Sequence, residues 1–293
     1  MNSEIRGVMI QNKNLFIKIL SFYIHKQKGS VLNRFNSILS PVEYQEMTSL
    51  RNAAVVNSIL NYIAPIKYVG TLKRVGGNFD GSYVIPLELL NDKTYLLSGG
   101  IADNNKFEIY AASKGVTGLQ IDNSIIAPPQ LHANMGFINA TLSSQNDPHH
   151  ISLRTLIEDA PKNKKIFLKI DIEGGEIDAV GTLPKKTLKK IHCLVIEIHN
   201  LSSLTKKECQ IPKLLHSLNL AGLKPVYLQA NNACLTYTLG GILIPDNIEV
   251  TYVKKGKTTK PDISYINKIR KLAERNKQNF AQINIDHIIF RNL

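Results

Sequence analysis

Short apolar runs recur along the chain, separated by segments of helical spacing. "YLLSGGI" (95–101) closes on glycine, "NKFEIYAASKG" has helical spacing and stops at Gly115, and "VTGLQIDNS" is a second run that ends on an acid. "GFINATLS" is a third. "KIFLKIDIEG" and "HCLVIEIHN" are a fourth and fifth, and their near-continuous Ile, Leu and Val predict strands buried on both faces. "EIDAVGTLPKKTLKK" reads as a short helical connection and "KKECQIPKLLHSLNLAG" as an amphipathic helix closed by Gly222. "LKPVYLQANN" and "GGILIPDNIEVTYVKK" supply the last two strands; only "ACLTYTLG" lies between them, so an antiparallel pair is expected.

This alternation predicts an α/β fold, a Rossmann-like seven-stranded sheet that is mostly parallel with one antiparallel strand and helices on both faces. Residues 1–65 read as an N-terminal helical extension ending at Pro65, 66–255 as the main domain and 256–293 as a C-terminal helical tail. A length of 293 residues with 43% hydrophobic content suits a globular body. "NLFIKILSFYIHK" (14–26) is broken by Lys18 and His25, short of the roughly 18 apolar residues of a membrane span. It also lacks a small-residue cleavage site, so a cytoplasmic protein is expected. The amphipathic character of that stretch fits a peripheral membrane contact and an internal packing face equally. Cys193, Cys209 and Cys234 have neither pair nor metal spacing and read as reduced thiols. The net charge of +13 favours anions, but "LPKKTLKK" and "VKKGKTTK" read as solvated faces without aromatic interleaving, so no nucleic-acid partner is expected.

Open α/β sheets bind ligands outside the carboxyl ends of their strands. There the first strand offers Gly99 and Gly100, which permit close backbone approach, with Asp103 and Glu108 to bind an amino group or fix the loop. Asp122 ends the second strand where a carboxylate suits ribose hydroxyls, and Asn139 ends the third, near an adenine; together they suggest an adenosine-containing cofactor. Alternation along a strand puts Asp171 and Glu173 on one face, and Glu197 and His199 on one face of the next strand. If these two strands are neighbours, three carboxylates and an imidazole converge, with Lys169 one step behind to offset charge. Three roles stand open for the cluster. It caps a helix and pairs with lysines; or His199 is a general base oriented by Asp171 or Glu197; or Asp171, Glu197 and His199 hold Mg²⁺ or another divalent cation. Upstream, "KRVGGNFDGSYVIP" is either a plain hairpin or a ligand loop, with Arg74 suited to a substrate anion and Asp80 and Gly81 beside the cofactor. Asn231 and Asn232 end the sixth strand, where they suit substrate hydroxyls or a turn. Ser152 reads as the cap of the helix after His149 and His150.

Taken in order, "RVGGNFDGSYVIP", "SGGIADNNKFE", "SLRTLIED", "FLKIDIEGGE", "LVIEIH", "ANN" and "IPDNIEVTYV" resemble the FkbM-type methyltransferase family across Lys73–Val253. The resemblance implies a class I fold, S-adenosylmethionine as methyl donor, and O-methylation of sugars in surface glycans or glycosylated metabolites. Under it Gly99, Gly100 and Asp122 face the cofactor, and Asp171, Glu173, Glu197 and His199 face the reacting hydroxyl. Ser82 and Gln229 depart from the family pattern, which has glycine in "DGGY" and a histidine before "ANN". The alternative from another class is a non-catalytic module of the same fold that binds a glycan or nucleotide.

Overall fold

A computed structural model describes residues 41–293, with side chains from Ser49 onward. The chain divides into two compact units, Met1–Thr48 and Ser49–Leu293, and everything below concerns the second. The amphipathic stretch 14–26 lies outside the described residues. No helix among the described residues is long and apolar enough to cross a membrane.

Seven strands form the central sheet: β1 (Thr94–Gly99), β2 (Thr117–Ile121), β3 (Met135–Ile138), β4 (Lys165–Ile170), β5 (Ile191–Ile198), β6 (Leu223–Ala230) and β7 (Ile248–Lys254). Their order is β6-β7-β5-β4-β1-β2-β3, and only β7 runs antiparallel to its neighbours. That is the predicted seven-stranded Rossmann-like α/β sheet. The apolar runs are buried along nearly their full length in β4, β5, β6 and β7, as strands covered on both sides must be.

Two predicted strands are each broken in two. "GFINATLS" leaves the sheet after Ile138, and Thr141–Ser143 pairs instead with His150–Ser152. "GGILIPDNIEVTYVKK" breaks at Asp246–Asn247; its first part, Ile242–Pro245, pairs with Thr236–Leu239 from the supposed link. The predicted hairpin upstream is present as Leu72–Val75 against Tyr83–Pro86.

Helix α1 (Pro41–Ile63) buries Val56, Ile59, Leu60 and Ile63, one stripe at helical spacing, in the same core as the sheet. It stops as Pro65 approaches, because the residue before proline avoids the helical region. Helix α2 (Lys106–Ser113) follows β1, and α3 (Leu153–Asp159) follows Ser152, which stands at the cap position without a side-chain bond. The β4–β5 crossover has two one-turn helices, α4 (Glu176–Ala179) and α5 (Lys185–Leu188). Helix α6 (Ile211–Leu220) joins β5 to β6 and ends at Gly222, whose φ of 84° only glycine takes without strain. In the tail, α7 (Ile263–Arg270) and α8 (Asp286–Ile289) bury Tyr265, Ile266, Ile269, Ile288 and Ile289 in the main core.

Register produces one further feature. Gln120 pairs with Ser98, Ser98 with Lys169, and Lys169 with Val195, two residues before Glu197; Glu197 pairs with Glu249 and Glu249 with Gln229. Paired positions, and positions two apart, share a face. One face of the sheet therefore carries a buried polar band from β2 to β6 near the carboxyl edge.

Candidate active site at the carboxyl edge

β4 ends at Ile170, so Asp171 and Glu173 lie in the loop beyond it, and strand alternation does not place them. Glu173 takes φ 54° and Gly174 φ 97°, which turns the loop back over the neighbouring strand end. The convergence arises all the same. Asp171, Glu173 and His199 bring one ligand atom each within 4.8 Å of one another. Glu173 is 89% exposed, while His199 is only 9% exposed.

The residue that orients His199 is Glu176, in place of Asp171 or Glu197. Its Oε1 lies 3.0 Å from His199 Nδ1 and accepts from the backbone N–H groups of Gly174 (3.1 Å) and Ile172 (3.3 Å). One fully buried carboxylate thus fixes both the ring and the loop. His199 Nε2 is left facing Glu173 at 3.5 Å and Glu197 at 3.6 Å. Although burial opposes a charged ring, the bond and the charge of Glu176, aided by Glu197 and Asp171, raise the imidazole above its ordinary pKa. Glu197 is raised as well, chiefly by burial and then by Asp171 and Glu249. Its Oε1 accepts from Asn231 Nδ2 at 2.9 Å. Glu197 is therefore set back from the open cluster, and the cation set expected as Asp171, Glu197 and His199 is replaced by Asp171, Glu173 and His199.

Asp171 is held by Tyr83, whose hydroxyl donates to Oδ2 at 2.8 Å. Tyr83 comes from the upstream hairpin and packs edge-on against Phe107. Lys169 does not pair with Asp171. Its ammonium donates to the backbone oxygens of Gly99 and Gly100 and sits 5.1 Å from the centre of the Tyr83 ring.

The glycine loop is close-packed against the chain itself. A Cβ on Gly100 would lie 1.6 Å from the carbonyl oxygen of Asp171, and one on Gly99 would lie 2.7 Å from Leu142 Cδ2. Both glycines thus serve an internal approach. Asp122 receives four protein donors, from Ile101 N, Ala102 N, Ser124 N and Ser124 Oγ, all at 2.6–2.8 Å. These bonds outweigh its burial and lower its pKa. Asp122 shapes the β1–α2 loop, so the expected ribose acceptor is already occupied. Glu108 is buried, accepts from Ser98 Oγ at 2.5 Å, and is raised in pKa by burial against the lowering charge of Lys169. Its Oε2 has no partner. It faces inward and does not reach an amino group outside. Asp103 and Asn139 are exposed beside the loop, Asn139 donating to Ile125 O at 2.5 Å. The backbone oxygen of Asp80 accepts from Asn104 Nδ2 at 2.9 Å, which places Asp80 and Gly81 against the same loop.

Two expected substrate residues are structural. Arg74 is only 11% exposed and donates to Leu272 O (2.8 Å), Ser82 O (2.7 Å), Tyr227 Oη (3.1 Å) and Gln229 Oε1 (2.5 Å). Its fork is spent on the chain, leaving nothing for an anion. Asn232 donates to Lys277 O and Phe280 O and accepts from Lys277 N, all at 2.9 Å. Asn231 orients Glu197 and closes a turn through Ala233 N. Gln229, standing where the family pattern has a histidine, joins this network through Asn276 and Glu274 N. Asn276 then donates to Glu249 Oε1 at 2.6 Å and to Asp80 Oδ1 at 3.3 Å, so the segment 272–280 crosses the carboxyl edge as a strap. His150 pairs with exposed Asp147 and takes no part.

Sequence reasoning missed Glu176, Tyr83, Glu249 and Asn276. Glu249 is an isolated acid inside the apolar run "IEVTYV", the same signal that marks Lys169; Glu176 and Tyr83 lie inside quoted motifs. Asn276 carries no local signal.

The sheet order with its reversed seventh strand, and a polar cluster at the carboxyl edge, define a Rossmann-like α/β protein of the methyltransferase type. Residues 98–211 match the family model described as the methyltransferase FkbM domain, so the chain carries an FkbM methyltransferase domain. No curated protein shows a significant match to the sequence.

Proposed function

We propose that the chain is an S-adenosylmethionine-dependent O-methyltransferase acting on a hydroxyl of a sugar in a cell-surface glycan or glycosylated metabolite, in the cytoplasm. The observation that carries this reading is His199, held at Nδ1 by buried Glu176 and directing Nε2 to Asp171 and Glu173 at the carboxyl edge. S-adenosylmethionine, when bound, supplies a methyl group on a sulfonium. The β1–α2 loop fits such a ligand, because Gly100 at φ 75° and Ala102 at φ 44° bend its backbone while exposed Asp103 and Asn139 flank it. Asp122 and Glu108 set the shape of this loop from behind.

A sugar hydroxyl is a poor nucleophile near neutral pH. His199 Nε2 takes its proton, Glu176 stabilises the imidazolium that results, and Asp171, fixed by Tyr83, aligns the hydroxyl. A second reading is favoured by the geometry of the cluster. Asp171, Glu173 and His199 form a mixed oxygen and nitrogen set suited to a divalent cation, with Glu176 behind the imidazole as metal-bound histidines have.

The test is cofactor consumption over a panel of sugar nucleotides and surface-glycan fragments, with and without chelator. Turnover that survives chelation leaves His199 as the base; turnover that chelation abolishes and Mg²⁺ restores supports the cation. A chain that neither consumes S-adenosylmethionine nor shows a thermal shift with it is the non-catalytic binding module.

A further inference from the structure

The amino edge of the sheet, opposite the candidate active site, carries lysines on five adjacent strands. Lys93 immediately precedes β1, Lys165 opens β4, Lys189 and Lys190 lead into β5, and Lys254 and Lys255 close the antiparallel β7. Lys224, at the start of β6, extends the row. The sequence scatters these residues over more than 160 positions, and register alone aligns them. Lys165 pairs with Thr94, next to Lys93; Lys254 pairs with Leu223, next to Lys224. Lys254 also reaches the backbone oxygen of Lys189.

None of these seven lysines is within 4.0 Å of a carboxylate among the described residues, although other cations of the chain are paired. Their charges act on each other. Lys254 is lowered in pKa by burial and then by Lys189, and His192 between them is lowered by burial and then by Lys254 and Lys165. A row of like charges that strains its own protonation is relieved by an external polyanion.

The row contains no arginine and no aromatic side chain, so it lacks the forked donors and stacking platforms that read phosphodiesters and bases. At about 4.8 Å per strand it forms a line of roughly 20 Å, wide enough for a flat, diffusely charged surface. We infer that this lysine edge docks the protein on an anionic lipid surface. The strands then stand away from the bilayer, and the eight residues of β5, at about 3.3 Å each, hold the candidate active site roughly 25 Å above the headgroups. That height suits an acceptor hydroxyl borne on an extended headgroup rather than one at the lipid surface.

The test uses the full chain and flotation with vesicles of phosphatidylcholine alone or with 30% phosphatidylglycerol (roughly the anionic content at which polybasic segments respond). The expected result is binding to the anionic vesicles only, weakening steeply as salt shortens the screening length. A variant with Lys189, Lys190, Lys254 and Lys255 changed to Gln should lose at least about tenfold in vesicle partition, because each lysine near such a surface contributes about fivefold. Its melting temperature and its methyl transfer to a soluble acceptor should stay as in the parent, which separates this inference from the catalytic reading. Undiminished vesicle binding by the folded variant would assign any membrane contact to another segment and overturn the inference. Binding of the parent to RNA or dextran sulfate, with none to anionic vesicles, would overturn it in favour of a soluble polyanion.

Discussion

Glu176 shows how one side chain joins the loop and the catalytic group. Its single oxygen is shared by two backbone N–H groups and His199 Nδ1, so Glu176→Gln keeps an acceptor for the loop while removing the charge behind the imidazole. We expect kcat to fall roughly ten- to a hundredfold, with KM little changed and melting within a few degrees of the parent. His199→Asn should cost roughly 10²- to 10⁴-fold in kcat. Steady-state kinetics beside a thermal melt checks both; a drop in stability that matches the loss of activity would make Glu176 merely structural. Gly100 makes the opposite case, a residue whose role is purely spatial. Its φ is 75° and a Cβ would overlap the Asp171 carbonyl, so Gly100→Ala should destabilise by at least about 3 kcal/mol or prevent soluble expression. Denaturant titration decides the point.

At the scale of elements, the carboxyl edge is built by pieces far apart in the chain. The hairpin 72–86 contributes Tyr83 and Arg74, the β4–α4 loop contributes Asp171 and Glu173, and the strap 272–280 closes over Glu249 through Asn276. Arg74 ties hairpin, sheet and strap together. Replacing it by Met leaves Leu272 O, Ser82 O and Gln229 Oε1 without their donor, at a cost of about 2–4 kcal/mol. Amide exchange should rise first in 272–280. This distinguishes a strut from a substrate ligand, because the loosening occurs without any acceptor present. If Arg74→Met leaves stability and exchange untouched and raises only KM, the guanidinium binds substrate after all.

Over the whole molecule, acidic groups buried on the carboxyl side govern the dependence of stability on pH. Glu108, Glu197 and Glu249 are all raised above the ordinary carboxylate value of 4.5, burial being the largest cause in each. A carboxylate whose pKa is higher in the folded than in the unfolded chain contributes stability that is complete below the unfolded value. That contribution is lost as pH rises through the folded value. His199, also raised, acts in the same direction above its ordinary 6.5. Melting temperature is therefore expected to decline from mildly acidic through alkaline pH. Glu249→Gln, which keeps an acceptor for Asn276, should flatten the decline. Melts at pH 5, 7 and 9 measure it, and an unchanged slope in the variant would mean that Glu249 ionises without cost.

Much of this was legible in the amino-acid order. Continuous apolar runs separated by helical spacing define a doubly covered parallel sheet, because burial on both faces leaves no room for alternation. An acid or lysine inside such a run, as at Lys169 and Glu197, marks the functional edge, since a charge is buried only where something compensates it. The partners of those groups were decided by the tertiary structure. Arg74, Asn232 and Asp122 have side chains suited to ligands, and only packing shows that backbone donors and acceptors already occupy them. Likewise, the lysines of the amino edge and the strap over Glu249 come together through strand register and chain return. No local pattern encodes these, because contacts between distant segments depend on how the whole sheet is assembled.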